Sequence, residues 1–301
     1  MKIAVLSDVH GNFPALEAVV RDVDSWHPDQ VVVNGDIVNR GPCSHTCLDY
    51  LLARRAADDW QILKGNHEEY LLYCASPDFR TDEPAFEINR FAYWAYQQLN
   101  GRVAELASLP DRFTWLAPDE SEFRVTHASM RSSREGLYEE QSDAALERRI
   151  SPAPAVFVTG HTHQAFIRQM PHTLVVNAGS AGAPFDLDWR PSYGRFTWDA
   201  RQGWQATIRR VEYDRRLIER DYVRSGFLEE GGALAQLMLL ELRKSRGLLF
   251  RWAEQYEAAV LNGDLTLAES VRRVMREDDV RPFVGSPGWT LPFKKNGETV
   301  H

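Results

Sequence analysis

Seven side chains of metal-binding type occur in short motifs along the chain: Asp8 with His10, Asp36, Asn66, His127, and His161 with His163. Imidazole and carboxylate groups suit first-row divalent metals, and one carboxylate can bridge two of them. Each motif follows a short apolar run. Residues 2–6 precede Asp8-Val9-His10, 31–33 precede Asn34-Gly35-Asp36, and 61–63 precede Gly65-Asn66-His67-Glu68. Further on, 122–126 lead into His127, and 155–158 lead into Thr159-Gly160-His161-Thr162-His163. An extended backbone places residues two apart on one side, so Asp8 and His10 are expected to reach one metal together. The glycines before Asp36 and Asn66 predict tight turns and close backbone approach. One such motif alone reads more readily as a capping aspartate or a surface histidine. Polar groups ending successive strands, however, converge on the sheet edge where open α/β folds bind ligands. Five of the nine histidines lie in these motifs.

The elements that must position them alternate in the first half of the chain. Strands at 2–6, 31–33 and 61–63 are separated by amphipathic helices at 14–26 and 47–57, the rhythm of βαβ units with a mostly parallel sheet. Helices are also expected at 68–74 and 84–109, the second rich in aromatics between Phe86 and Tyr96 that fit a core better than a base-stacking surface. Strands follow at 113–116, 122–126, 155–158, 164–169, 173–176, 193–198 and 204–210, several joined by short turns that predict antiparallel hairpins. The expected fold is α/β (α+β): a two-sheet β-sandwich core flanked by helices, with a C-terminal helical extension. From Asp214 the pattern is helical, with a break at Gly231-Gly232 and helices at 233–246, 248–261 and 267–276. Thr266 with Glu269 fits a capping box for the last. The tail from Arg281 reads as irregular. This divides the chain into a domain at 1–230 and an extension at 231–301.

Composition narrows the partners. The chain has 301 residues, of which 44% are hydrophobic and 26% charged, with a formal charge of −8. An acidic balance gives no general footprint for long nucleic acids, though bound cations can make a local pocket positive. Met1-Lys2 runs directly into the first strand and no apolar run is long enough to span a bilayer, so a cytoplasmic protein without membrane association is expected. Cys43, Cys47 and Cys74 are an odd count that fits buried or incidental thiols rather than a disulfide framework. The apolar stretch at Leu234, Leu237, Met238, Leu239 and Leu242 fits packing on the main domain or a homo-oligomer face, with the former preferred.

The order Asp-x-His, Gly-Asp, Gly-Asn-His-Glu, His and Gly-His-x-His resembles the five-block motif of the calcineurin-like metallophosphoesterase superfamily, over residues 2 to 210. Gly35-Asp36-Ile37-Val38-Asn39-Arg40-Gly41-Pro42, His127-Ala128-Ser129-Met130-Arg131 and Asn177-Ala178-Gly179-Ser180-Ala181-Gly182-Ala183-Pro184 further resemble its bacterial and archaeal branch of small phosphodiesterases, related to diadenosine tetraphosphatases. The resemblance implies two divalent ions (manganese, iron, zinc, nickel or cobalt). Asp8, His10 and His163 would hold the first, and Asn66, His127 and His161 the second, with Asp36 bridging. His67 would serve as acid–base catalyst without binding metal, and Arg40 would grip phosphate. Two cations about 3.5–4 Å apart can deprotonate a bridging water and clamp the attacking and leaving oxygens of an in-line displacement. The expected activity is therefore hydrolysis of phosphomonoesters or phosphodiesters on a small or nucleotide-derived substrate.

One position departs from the pattern of the related protein phosphatases: Asn39 stands where they carry an aspartate that orients the histidine. It can accept a hydrogen bond but carries no charge, which favours a small substrate over a serine/threonine protein phosphatase role. A dinucleoside polyphosphate hydrolase remains the other alternative, and a non-enzymatic scaffold is disfavoured because every ligand is retained. Asn39, Arg131 and Arg190 are candidate substrate contacts. Glu68 could assist catalysis or simply complement a helix N-terminus, and the 179–182 segment could line the substrate or be a strand-ending turn.

Overall fold

Continuous apolar, largely β-branched runs build strands wherever the motifs required them. The chain runs β1 (Lys2–Leu6), α1 (Phe13–Trp26), β2 (Gln30–Asn34), α2 (Ser44–Asp58), β3 (Gln61–Leu63) and α3 (Asn66–Cys74). Next come α4 (Pro84–Gln98), α5 (Val103–Ala107), β4 (Arg112–Leu116), β5 (Glu122–Thr126), α6 (Asp143–Ile150) and β6 (Val156–Thr159). After β7 (Phe166–Gln169), β8 (Leu174–Asn177), β9 (Ser192–Asp199) and β10 (Gly203–Arg210) the chain turns helical. There α7 (Arg215–Arg224), α8 (Phe227–Glu230), α9 (Leu234–Lys244), α10 (Leu249–Trp252), α11 (Ala258–Leu261) and α12 (Leu267–Glu277) follow. This computed structural model describes residues 1–82 and 84–277, and the backbone of a short strand pair, Lys294–Lys295 and Glu298–Thr299. The irregular tail expected from Arg281 otherwise lies outside the described residues.

Two five-stranded sheets form, ordered β10-β9-β1-β2-β3 and β4-β5-β6-β8-β7. β1, β2 and β3 are parallel, as are β5, β6 and β8; the hairpins β9–β10 and β7–β8 are antiparallel, as the short turns predicted. The sheets pack face to face. Ile3, Val5, Val32 and Leu63 of one meet Phe123, Val125, Val158 and Val176 of the other, while the alternate residues Ala4, Leu6 and Val33 face the helices. Strands buried on both faces need continuous apolar runs, which is how they read in sequence. Each fully buried side chain of this size contributes about 1.5–3 kcal/mol.

Three helical expectations change. Residues 84–109 do not form one helix, because Asn100 and Gly101 adopt left-handed backbone (φ 49° and 82°) and separate α4 from α5. The segment 248–261 contains a π-helical stretch, Ala253–Glu257, between α10 and α11. And α6 went unforeseen, although its N-cap Ser142 accepts from Ala145 N at 3.3 Å, the usual capping arrangement. Thr266 caps α12 as expected, accepting from Glu269 N at 3.2 Å, but Glu269 turns to Arg272 and Arg276 instead of closing the box.

The extension is buried within the chain. Leu234, Leu237, Met238, Leu239 and Leu242 join one cluster with Leu16 of α1, Leu48 of α2 and Phe91 and Trp94 of α4. The aromatics of α4 are accordingly core or packed on neighbouring rings, as Tyr93 is stacked on Phe79 of the preceding segment. All three cysteines are free, and burial pushes the Cys43 thiol up to about 11 and Cys74 up to about 12.

Candidate metal centre

The strand-end loops carry the site, and their backbone is unusual. Asp8, His10, Asp36, His161 and His163 all have positive φ, between 49° and 65°. Side chains rarely adopt this region, and its cost persists only where surroundings enforce it. Asp8 and His10 therefore do not converge by strand alternation, as expected; β1 ends at Leu6 and a left-handed turn aims both. Backbone bonds lock the turn, with Asp8 N, His10 N and Gly11 N donating to the carbonyls of Gly35, Asp36 and Ile37 at 3.1, 2.9 and 2.9 Å. The 179–182 segment braces it from the other side, since Ala181 N and Gly182 N donate to Ser7 O and Asp8 O. That makes it a strand-ending turn supporting the ligands. Gly35 (φ 78°) passes so close to the next loop that a Cβ would lie 2.5 Å from Gly65 N, the close approach the sequence predicted.

Glu68 ties two of these loops together. Its carboxylate accepts from Asp36 N, Ile37 N and Gly65 N at 2.8 Å each, and from Val38 N at 3.3 Å. Burial and the Asp36 charge push Glu68 up to about 7, but four N–H donors favour the acceptor-only anion. Its task is to hold the Asp36 loop, not to touch a ligand.

The seven side chains converge in two overlapping groups about Asp36. His163 Nε2 lies 3.0 Å from His10 Nε2 and 3.2 Å from Asp8 Oδ1. His127 Nε2 lies 3.2 Å from Asp36 Oδ2 and 3.0 Å from Asn66 Oδ1, which is 2.9 Å from His161 Nδ1. Asp36 Oδ2 is also 3.6 Å from His10, so this carboxylate stands between the groups. Backbone carbonyls decide the tautomers. Nδ1 of His163 donates to Ala183 O at 2.5 Å, Nδ1 of His127 to Asn34 O at 2.9 Å, and Nε2 of His161 to Arg134 O at 3.1 Å. In the neutral rings each opposite nitrogen then turns a lone pair toward other acceptors, an arrangement typical of metal-ligating histidines. Asp8 Oδ1 is buried with no hydrogen-bond donor among the described residues.

The charges agree with that need for a cation. Burial would raise Asp36, but His127 and His67 outweigh it and hold the carboxyl far below its usual range; Asp8 is lowered likewise, chiefly by His163. Conversely, burial would lower His127, yet Asp36 pushes it up to about 10. Burial pushes His10 and His161 down to about 4. Three sets of donor atoms lie within 4.8 Å of one another: Asp8, His10 and His163; Asp36, His127 and His161; and His10, Asp36 and His67. The donor set fits divalent metal.

The profile of calcineurin-like phosphoesterases matches residues 1–165. The chain belongs to that family. It is accordingly a hydrolase of phosphoric esters, and among its described residues no helix is long and apolar enough to cross a membrane. A metallophosphoesterase from Sphaerobacter thermophilus is 26% identical and superposes with a TM-score of 0.63, over 81% of this chain and all (100%) of that one. A hypothetical protein from Pyrococcus horikoshii shares the fold at 17% identity (TM-score 0.66, 78% of this chain, 97% of that one). An uncharacterized protein of Methanocaldococcus jannaschii is 25% identical over 228 residues, 70% of this chain and 88% of its own.

The other candidate residues of this phosphoesterase divide by position. His67 is buried against His10 (ring centroids 4.7 Å apart, edge to face) and its backbone N–H donates to Asp36 Oδ1 at 2.8 Å. Its Nδ1 has no hydrogen-bond partner among the described residues, and burial pushes the imidazole pKa well below its ordinary value. Asn39 does not orient it: Asn39 Oδ1 accepts from Arg40 N at 2.8 Å and its Nδ2 has no hydrogen-bond partner among the described residues. Arg40, also left-handed (φ 66°), reaches the His10 side of the centre and pairs there with Glu241 of α9. Sequence reasoning passed over Glu241, although a lone carboxylate inside Leu-Met-Leu-Leu-Glu-Leu signals a buried partner. Past His127 opens a groove of about 440 Å³ lined by Lys64, Glu69, Arg112, Arg131, Ser132 and Ser133. Arg131 is thus beside the centre, paired with Glu135. Arg190 instead folds back on Asp188 at 2.7–3.0 Å and lines neither this groove nor the cavity beside His10.

Proposed function

We propose that the chain holds two divalent ions and hydrolyses small phosphate monoesters or diesters, including nucleotide-derived ones. Asp8, His10 and His163 would hold one ion and Asn66, His127 and His161 the other, with Asp36 shared. One observation carries this reading: on either side of Asp36, imidazoles pinned by backbone carbonyls turn lone pairs toward one another and toward carboxylates. When bound, two such cations lower the pKa of a water and place positive charge against phosphoryl oxygens. Manganese, iron, zinc, nickel and cobalt all suit such a nitrogen–oxygen set. The chain's own groups do the rest. Carbonyls of Asn34, Ala183 and Arg134 hold the imidazole tautomers, Arg40 offers guanidinium donors to phosphoryl oxygens, and His67, neutral in its buried site, takes up a proton and passes it to the leaving oxygen. Three free thiols fit a reducing compartment such as the cytoplasm.

Purified protein supplied with each of these metals should hydrolyse p-nitrophenyl phosphate or its bis-ester. No turnover with any of them overturns the reading. A panel of diadenosine tetraphosphate, cyclic nucleotides, a phosphopeptide and single-stranded DNA then separates the small-substrate reading from the protein phosphatase, polyphosphate hydrolase and nuclease alternatives.

A further inference from the structure

Arg40 is held by a residue far outside the family match. Its Nη2 donates to Glu241 Oε2, and its guanidinium lies 5.4 Å from the centre of the Phe185 ring. The backbone of Arg40 is anchored too, its carbonyl accepting from Tyr222 OH at 2.7 Å. Glu241 itself cannot swing away. It is 2% exposed, and its second oxygen accepts from Leu248 N and Leu249 N at 2.7 Å each, at the turn that begins α10. Between α9 and the metal centre remains a cavity of only about 10 Å³, lined by His10, Arg40, Tyr222, Met238 and Glu241 among others.

A guanidinium has five N–H donors in one rigid plane. Glu241 takes up Nη2 and Phe185 lies beside the group, so the Nε–H and Nη1–H donors, which make no hydrogen bond among the described residues, are left for a ligand. An unpaired buried arginine would also lack any fixed direction, and aiming it only on substrate binding would cost side-chain entropy. We propose that Glu241 is a positioning residue: it preorganises Arg40 so that the remaining guanidinium N–H donors receive the phosphoryl oxygens of the substrate. The C-terminal extension thereby completes the phosphate site of the catalytic domain. This rests on the reading of Arg40 as a phosphate ligand given above.

Glu241→Gln is the informative variant, because its amide oxygen still accepts from Leu248 N and Leu249 N while its NH2 faces Arg40 without charge. The probe is inorganic phosphate, measured by calorimetry on metal-loaded protein and as a competitive inhibitor. Phosphate affinity should fall roughly tenfold, the size of a lost charge-assisted bond, with KM rising and metal content and Tm held. In an Arg40→Ala background Glu241→Gln should change phosphate affinity less than about twofold. Equal losses in both backgrounds, or unchanged phosphate affinity in the single variant, overturn the proposal. Wild-type protein that binds phosphate but turns over no ester defeats the hydrolase reading alone, and the binding data still judge Glu241.

Discussion

On the His10 side of the centre, α9 brings Met238, Glu241 and Leu242 so near that about 10 Å³ is left beside Arg40. On the His127 side, the loop after β5 leaves a groove of about 440 Å³ open to solvent. The same pair of sheet edges thus has one sealed flank and one open flank. The sealed flank is built from long-range contacts, Arg40 and Glu241 being 201 positions apart, and its cavity has room for about one water-sized atom, such as a single phosphoryl oxygen. Only the open flank has room for a larger group. There two of the cations are loosely held: Lys64 pairs at 3.1 Å with an Asp111 that is 80% exposed, and among the described residues Arg112 has no ion-pair partner. Exposed pairs of this kind are worth about 0–1 kcal/mol and can exchange for a ligand's charge.

The largest effect should come from the carboxylate shared by both flanks. Asp36→Ala is expected to empty both sides, with metal content by elemental analysis falling and turnover dropping on the order of a thousandfold or more. Next, His67→Ala should keep its metal while losing about a hundred- to ten-thousandfold in turnover, most on esters with poor leaving groups. If its metal content fell as far as in Asp36→Ala, the third donor set, His10 with Asp36 and His67, would be a ligand set and the sealed flank a different site. On the open flank, Arg112→Glu should raise KM roughly two- to fivefold for a substrate bearing a second phosphate, at the scale of an exposed charge. KM for p-nitrophenyl phosphate should not move. Equal shifts for both substrates would erase the distinction between flanks.

The smallest effect lies outside both flanks and reports only on the sheet that carries them. Asp22 of α1 pairs with Arg195 of β9 and Arg209 of β10 and accepts from Tyr193 OH. Burial opposes its charge, but Arg209, Tyr193 and Arg195 lower the carboxyl below the usual 3.8. A depressed folded-state pKa means stability that is present above the unfolded value and lost as pH falls through the folded one. Asp22→Asn should therefore lower stability by about 1–3 kcal/mol at neutral pH, with the gap in Tm closing below about pH 3.8, and leave turnover alone.

The comparison also separates what could be read from the chain. Both motifs at the ends of β1 and β2 were legible because metal chemistry restricts residue type, and the two sheets because strands buried on both faces must be apolar throughout. The reason Asp8 and His10 converge was not, since nothing in Asp-Val-His specifies left-handed backbone; bonds from Gly35, Asp36 and Ile37 impose it. The break between α4 and α5 was signalled by Asn100-Gly101 and overridden by the aromatic periodicity around it. Glu68 was undecided between catalysis and helix capping because its four backbone donors come from two separate loops.

By itself, then, the sequence determined the donor set, its order and the strands that end in it, because ligand chemistry and double-sided burial constrain residue identity locally. Only the tertiary structure decided where Arg40 points, which flank is closed and what Glu68 and Glu241 hold. Those follow from contacts between segments tens to hundreds of residues apart, and a pairing of that kind leaves no periodic trace in either partner.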